Sequence, residues 1–116
     1  MKAKFHRVFI GLIITLSAVH IGAASVIFNE IKPSLAWFIG VGLMGVFLAF
    51  LNIIAARLPE DCMATRLCFA ANVLAVIFAF GNLVTDRDPT TMVAILFFLG
   101  LAVTAPFPAQ GREAAP

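Results

Sequence analysis

Four apolar stretches, at about 8–28, 35–56, 67–84 and 90–105, are joined by short connections reading "NEIKPS", "RLPEDCMATR" and "TDRDP". A helix needs about 20 residues to cross a hydrocarbon core about 30 Å thick. The first two stretches meet that length, and the third does so if Arg66 snorkels at its start. The fourth is short and ends at "PFP", with Asp88 placed as an N-cap and Pro89 at the first helical position. Of the 116 residues, 62% are hydrophobic and 12% charged, with a mean hydropathy of +1.05. A soluble domain is about 45–50% apolar and about 25% charged, so this chain has too little polar surface to cover a water-facing globule. Short connections make consecutive helices antiparallel neighbours. The expected fold is all-α, an integral membrane antiparallel four-helix bundle within 1–107, followed by a flexible polar tail over 108–116.

Charge placement sets the expected orientation. With the N-terminus inside, Lys2, Lys4, Arg7, Arg57, Arg66 and Arg112 fall on the cytoplasmic side, and only Lys32 and Arg87 fall outside. That bias follows the positive-inside rule and puts both termini in the cytoplasm, the membrane being the plasma (inner) membrane. Trp37 then sits at the outer interface. "MKAKFHR", the apolar run and "IGAAS" would also fit a secretory signal cleaved near Ala24. The run is long for such a signal and carries His20 close to the cleavage site, so it is read as a retained helix.

Helices in lipid associate through close packing and interhelical hydrogen bonds, so small and polar residues mark their interfaces. In the second stretch Gly42, Gly45, Ala49, Asn52 and Ala56 form one stripe, and in the third Cys68, Asn72, Ala75, Ala79 and Asn82 form another. Folding the two about the loop at 57–66 pairs 56 with 68, 52 with 72, 49 with 75, 45 with 79, and 42 with 82. Asn52 is therefore expected to face Asn72, each amide satisfying the other. Asn82 is expected opposite Gly42 near the outer surface, where a functional lining is as reasonable as a structural role. "VFLAFLNIIAAR" (46–57) and "VIFAFGNLVTDR" (76–87) match at several positions. Transporter repeats span several helices, so this match is read as chance.

Gly11, Thr15, Ala18, Gly22 and Ser25 make a third stripe, expected to join the same packed centre with Ala18 level with Gly45. His20 lies about 200° round the helix from Ala18, so it is expected to point away from that seam, toward the fourth helix or a partner copy. An intramembrane histidine can relay a proton or ligate haem or a metal, or it can be a neutral, hydrogen-bonded ring. No second buried ligand lies at matching depth, so the hydrogen-bonded ring is preferred and no cofactor or metal is expected. His6, in the basic arm, is expected to be solvated.

No Asp, Glu, Lys or Arg lies inside the apolar spans. Cys62 and Cys68 fit no zinc or redox spacing. Asp86 and Asp88 could attract a cation, though a solvated turn explains them as well. There is no nucleophile–base set, no phosphate loop and no basic run suited to nucleic acid, so an enzyme is not expected. Two functions remain in view. One is a protein acting through helix contacts in the lipid bilayer, as a homo-oligomer or an accessory subunit of a larger membrane complex. The other is a small dimeric transporter or channel with His20 and Asn82 lining its path. A weaker third is a haem- or quinone-binding subunit using His20.

Overall fold

The computed structural model describes residues 1–85 and 87–106, and all its regular structure is helical. The helices are α1 (Lys2–Ile27), α2 (Pro33–Arg57), α3 (Cys62–Thr85) and α4 (Pro89–Thr104). The expected tail at 108–116, with Arg112, and Asp86 lie outside the described residues. Three helices are long and apolar enough to cross a membrane. α4, with 16 residues, is the exception, spanning about 24 Å at about 1.5 Å per residue.

Local chemistry sets the ends. Pro33 and Pro89 occupy the first turns of α2 and α4 behind extended caps at Lys32 and Asp88, where a missing N–H costs nothing. Asp61 Oδ1 accepts from the backbone N–H groups of Met63 (2.9 Å) and Ala64 (3.0 Å), a side-chain cap of the kind worth about 1 kcal/mol. That cap starts α3 at Cys62, before the apolar run at 67. α1 likewise begins at Lys2 and not near residue 8. Polar residues extend both helices, and hydropathy alone does not register such extensions.

α1 packs on α2 and α4, and α3 packs on the same two helices. The centre is filled by Ile10, Ile13, Leu48, Ala49, Ala75, Ala79, Ile95, Phe98 and Leu101. Three glycines let side chains of α1 settle onto their neighbours. A Cβ on Gly45 would run into Ser17, one on Gly42 into Ile21, and one on Gly100 into the ring of Phe9.

These contacts correct the expected face of α1. Gly11, Thr15, Ala18, Gly22 and Ser25 are all exposed, and nothing approaches Gly11 or Gly22 within 4 Å. The buried residues are instead His6, Ile10, Ile13, Ser17 and Ala24. The physical reason lies on the partners, because the gaps at Gly42, Gly45 and Gly100 receive side chains from α1. The hydroxyls of Thr15 and Ser25 donate to their own helix, at the carbonyls of Gly11 and Gly22. Gly42 and Gly45 thus serve the α1–α2 contact.

Gly100→Ala should lower stability by about 1–3 kcal/mol, as overpacking does, and adding Phe9→Leu should recover part of the loss. Gly11→Ala should be neutral or stabilising by up to about 1 kcal/mol, since alanine favours the helix. Thermal unfolding in detergent measures both.

Candidate functional site

Two polar arrangements sit in this apolar frame. The first is closed. Asn52, Asn72 and Cys68 are wholly buried. The Asn52 amide donates to Asn72 Oδ1 (2.8 Å) and to the Leu48 carbonyl (2.8 Å), and the Asn72 amide donates back to Asn52 Oδ1 at 3.0 Å. The Cys68 thiol donates to Asn52 Oδ1 at 3.2 Å, and its sulfur lies 3.7 Å from the Asn72 amide nitrogen. Each amide offers two N–H donors, and all four find a partner. A fully satisfied polar network fixes one geometry, whereas a partly satisfied one is costly. Thr65, also buried, returns its hydroxyl to the carbonyls of Asp61 and Cys62.

His6 is buried beside this cluster, not solvated as expected. Thr104 Oγ1 donates to the Gly100 carbonyl, so its oxygen is left to accept from Nδ1–H of His6 at 3.0 Å. His6 Nε2 is sealed from solvent without a hydrogen bond among the described residues, with the Asn52 main chain as a polar neighbour. The contact ties the start of α1 to the end of α4. The spacing of His6, Ile10, Ile13 and Ser17 was the available signal for it, masked by three basic residues in the same arm.

The second arrangement is open. A cavity of about 100 Å³, open to the outside of the molecule, is lined from all four helices. Ile13, Ala79 and Phe98 line it and also belong to the central core. Its polar lining consists of Ser17, His20, Asn82, Asp88, Thr90 and Thr91. Clefts that hold small molecules have this mixture of apolar wall and few polar groups.

His20 stacks on Phe38 with ring centroids 3.7 Å apart and planes 15° apart, and Phe28 meets Phe38 edge-on. Nε2–H of His20 donates to the Phe38 carbonyl at 3.0 Å, so in the neutral ring Nδ1 carries the lone pair. His20 therefore lies against α2, contrary to the expectation that it points away. Gly42 makes room, since a Cβ there would come within 3.4 Å of the His20 ring. Asn82 is half-buried, and its side-chain amide makes no hydrogen bond among the described residues. Gly42 and Asn82 line the same cavity.

Sequence reasoning picked out His20 and Asn82 singly, and the fold brings them to one wall system. It missed Ser17, and it read Asp88 as an N-cap in a solvated turn that could attract a cation, without joining it to His20 and Asn82. Among the described residues no three His, Cys, Asp or Glu side chains gather as metal ligands. No family model, no curated protein and no solved structure matches this chain.

Asn52→Leu and Asn72→Leu should be non-additive, with a coupling of about 0.6 kcal/mol and at most about 1.7 kcal/mol, read from a double-mutant cycle of unfolding. A maleimide should modify exposed Cys62 and spare buried Cys68 until the protein is denatured, which intact-mass measurement resolves.

Proposed function

We propose that the chain is an integral membrane protein, an antiparallel four-helix bundle with both termini cytoplasmic, that carries a small molecule through the cavity at His20 and Asn82. The outward surface supports a lipid setting. No more than about a third of the most apolar window of each long helix is buried within the chain, and Val19, Phe47, Leu74 and Leu96 put a large apolar side chain outward from each helix. So much apolar surface far exceeds what a soluble monomer exposes as a patch. α4 is short for a full span, and local bilayer thinning or snorkelling accommodates such a helix at modest cost.

The observation that carries the transport reading is that His20 and Asn82 share one cavity, open to the outside of the molecule and floored by the apolar core. Below that floor the Asn52–Asn72–Cys68 network and the His6–Thr104 contact hold the helices together. A vestibule open on one side and packed on the other is the shape of one state of an alternating-access carrier. An uncharged amide and a ring with a free lone pair can orient a ligand without the large cost of a buried charge.

A second reading, an oligomer or accessory subunit acting through helix contacts, is favoured by one observation. The exposed stripe Gly11, Thr15, Ala18, Gly22 and Ser25 is a face that would admit a close helix neighbour. Gly11→Leu with Gly22→Leu should then change the mass of the assembly in native mass spectrometry while leaving monomer unfolding little altered.

For topology, an impermeant maleimide should reach Cys62 only from the cytoplasmic face. A cysteine introduced as Asn82→Cys, with Cys62→Ala, should react only from the opposite face. Labelling of both from one face would overturn the bundle topology. For function, proteoliposomes should pass benzyltrimethylammonium or benzylsulfonate faster than protein-free liposomes, with a several-fold loss in His20→Leu and Asn82→Leu. Absence of protein-dependent flux for both ions would leave the helix-contact reading in place.

A further inference from the structure

We infer that the cavity takes an organic cation, its ammonium-type head held by Asp88 and its apolar body held against Phe78 and Phe98. The inference rests on the cavity being a ligand site, as proposed above. Asp88 lines the cavity and is half-buried. It occupies the N-cap position of α4, yet its carboxylate makes no cap hydrogen bond. Asp61, at the corresponding position of α3, uses its carboxylate on two backbone N–H groups. The Asp88 carbonyl accepts the first helical hydrogen bond, from Thr91 N–H at 3.0 Å, as the Asp61 carbonyl does from Thr65 N–H.

Among the described residues the carboxylate of Asp88 also has no cation partner. Arg87 precedes it in the chain, but among the described residues no ion pair joins the two. No Lys or Arg lines the cavity. The N–H of His20 is committed to the Phe38 carbonyl. A residue whose carboxylate has no hydrogen bond or ion pair among the described residues therefore lines a volume whose other polar members are hydroxyls, an amide and an imidazole. An anion would meet no positive side chain there, and a ligand with a positive head would meet one negative charge.

The kind of cation follows from the remaining walls. A metal ion needs several oxygen or nitrogen ligands at close range, and among the described residues Asp88 is the one carboxylate in the lining. The apolar share of the wall, with Met44, Phe78 and Phe98, suits a hydrocarbon or aromatic body. Aromatic faces also attract an organic cation directly. Asn is as good an N-cap as Asp, so Asp88→Asn removes the charge without endangering the start of α4.

The test is calorimetric binding to the full chain in lipid nanodiscs, with empty nanodiscs subtracted. Three probes of similar shape are used: benzyltrimethylammonium, its neutral isostere neopentylbenzene, and benzylsulfonate. The cation should bind at least about tenfold more tightly than the neutral isostere, a difference of about 1.4 kcal/mol. Asp88→Asn should erase that preference and leave the neutral probe within about twofold, while Glu30→Gln, outside the cavity, should leave it intact. Phe98→Leu should weaken cation and neutral probe together. Equal affinity for cation and isostere, or a preference that survives Asp88→Asn, would overturn the cation assignment and keep the cavity as a ligand site. Failure of all three probes to bind would remove the ligand-site reading itself.

Discussion

An amide cut off from water has to find its hydrogen bonds within the protein, and the reciprocal pair of Asn52 and Asn72 is where this fold meets that demand. The two side chains, with the Cys68 thiol and the Leu48 carbonyl, satisfy one another's donors without water. A shift of one helix along the other would leave two or more polar groups unpaired, each at about 1–3 kcal/mol. The pair therefore fixes the register of α2 on α3 more than it adds net stability. With that register set, Leu48 and Ala49 share the core with Ala75 and Ala79, and the chain beyond them diverges to form the cavity.

The molecule is consequently asymmetric along its length. One half is closed by the amide network and by His6 bonded to Thr104, which joins the first helix to the last. The other half holds its polar groups around empty space, with a histidine of α1 bonded to α2, and with an amide on α3 and a carboxylate at the start of α4 that have no hydrogen-bond partner among the described residues. The glycines decide how α1 fits both halves. Gly100 receives Phe9 at the closed end, and Gly42 and Gly45 receive Ile21 and Ser17 beside the cavity. In the proposed membrane setting the bilayer would cover the remaining apolar surface without distinguishing the two halves. Function would then rest on the internal asymmetry.

The legible part of the sequence was the part written in matched stripes. The α2 and α3 patterns have amides at equal distance from the connecting loop, so one fold-back placed 52 against 72, and the structure has that bond. The same reasoning misplaced the α1 stripe, because small residues mark where a neighbour can come close and not where one does. The faces of α1 were decided by vacancies on other helices, and pairing one stripe with another does not reveal a large side chain entering a glycine gap. His20 was misdirected by the same error, since its angle was measured from the wrong face. His6 was hidden by its basic neighbours. The cavity was legible only as separate residues: Ser17, His20, Asn82 and Asp88 come from two helices and a cap, and no local spacing joins them.

The most direct measurement is of the amide pair itself, in bilayers. With the Asn52 side-chain nitrogen labelled with nitrogen-15 and the Asn72 side-chain carbonyl with carbon-13, solid-state NMR dipolar recoupling reads their separation. Hydrogen bonds at 2.8 and 3.0 Å between these side chains put the labelled atoms about 4 Å apart by ordinary bond geometry, so strong dephasing is expected. A separation beyond about 6 Å, too far for any hydrogen bond, would mean that α2 and α3 do not meet in this register, and the cavity built on that register would go with it.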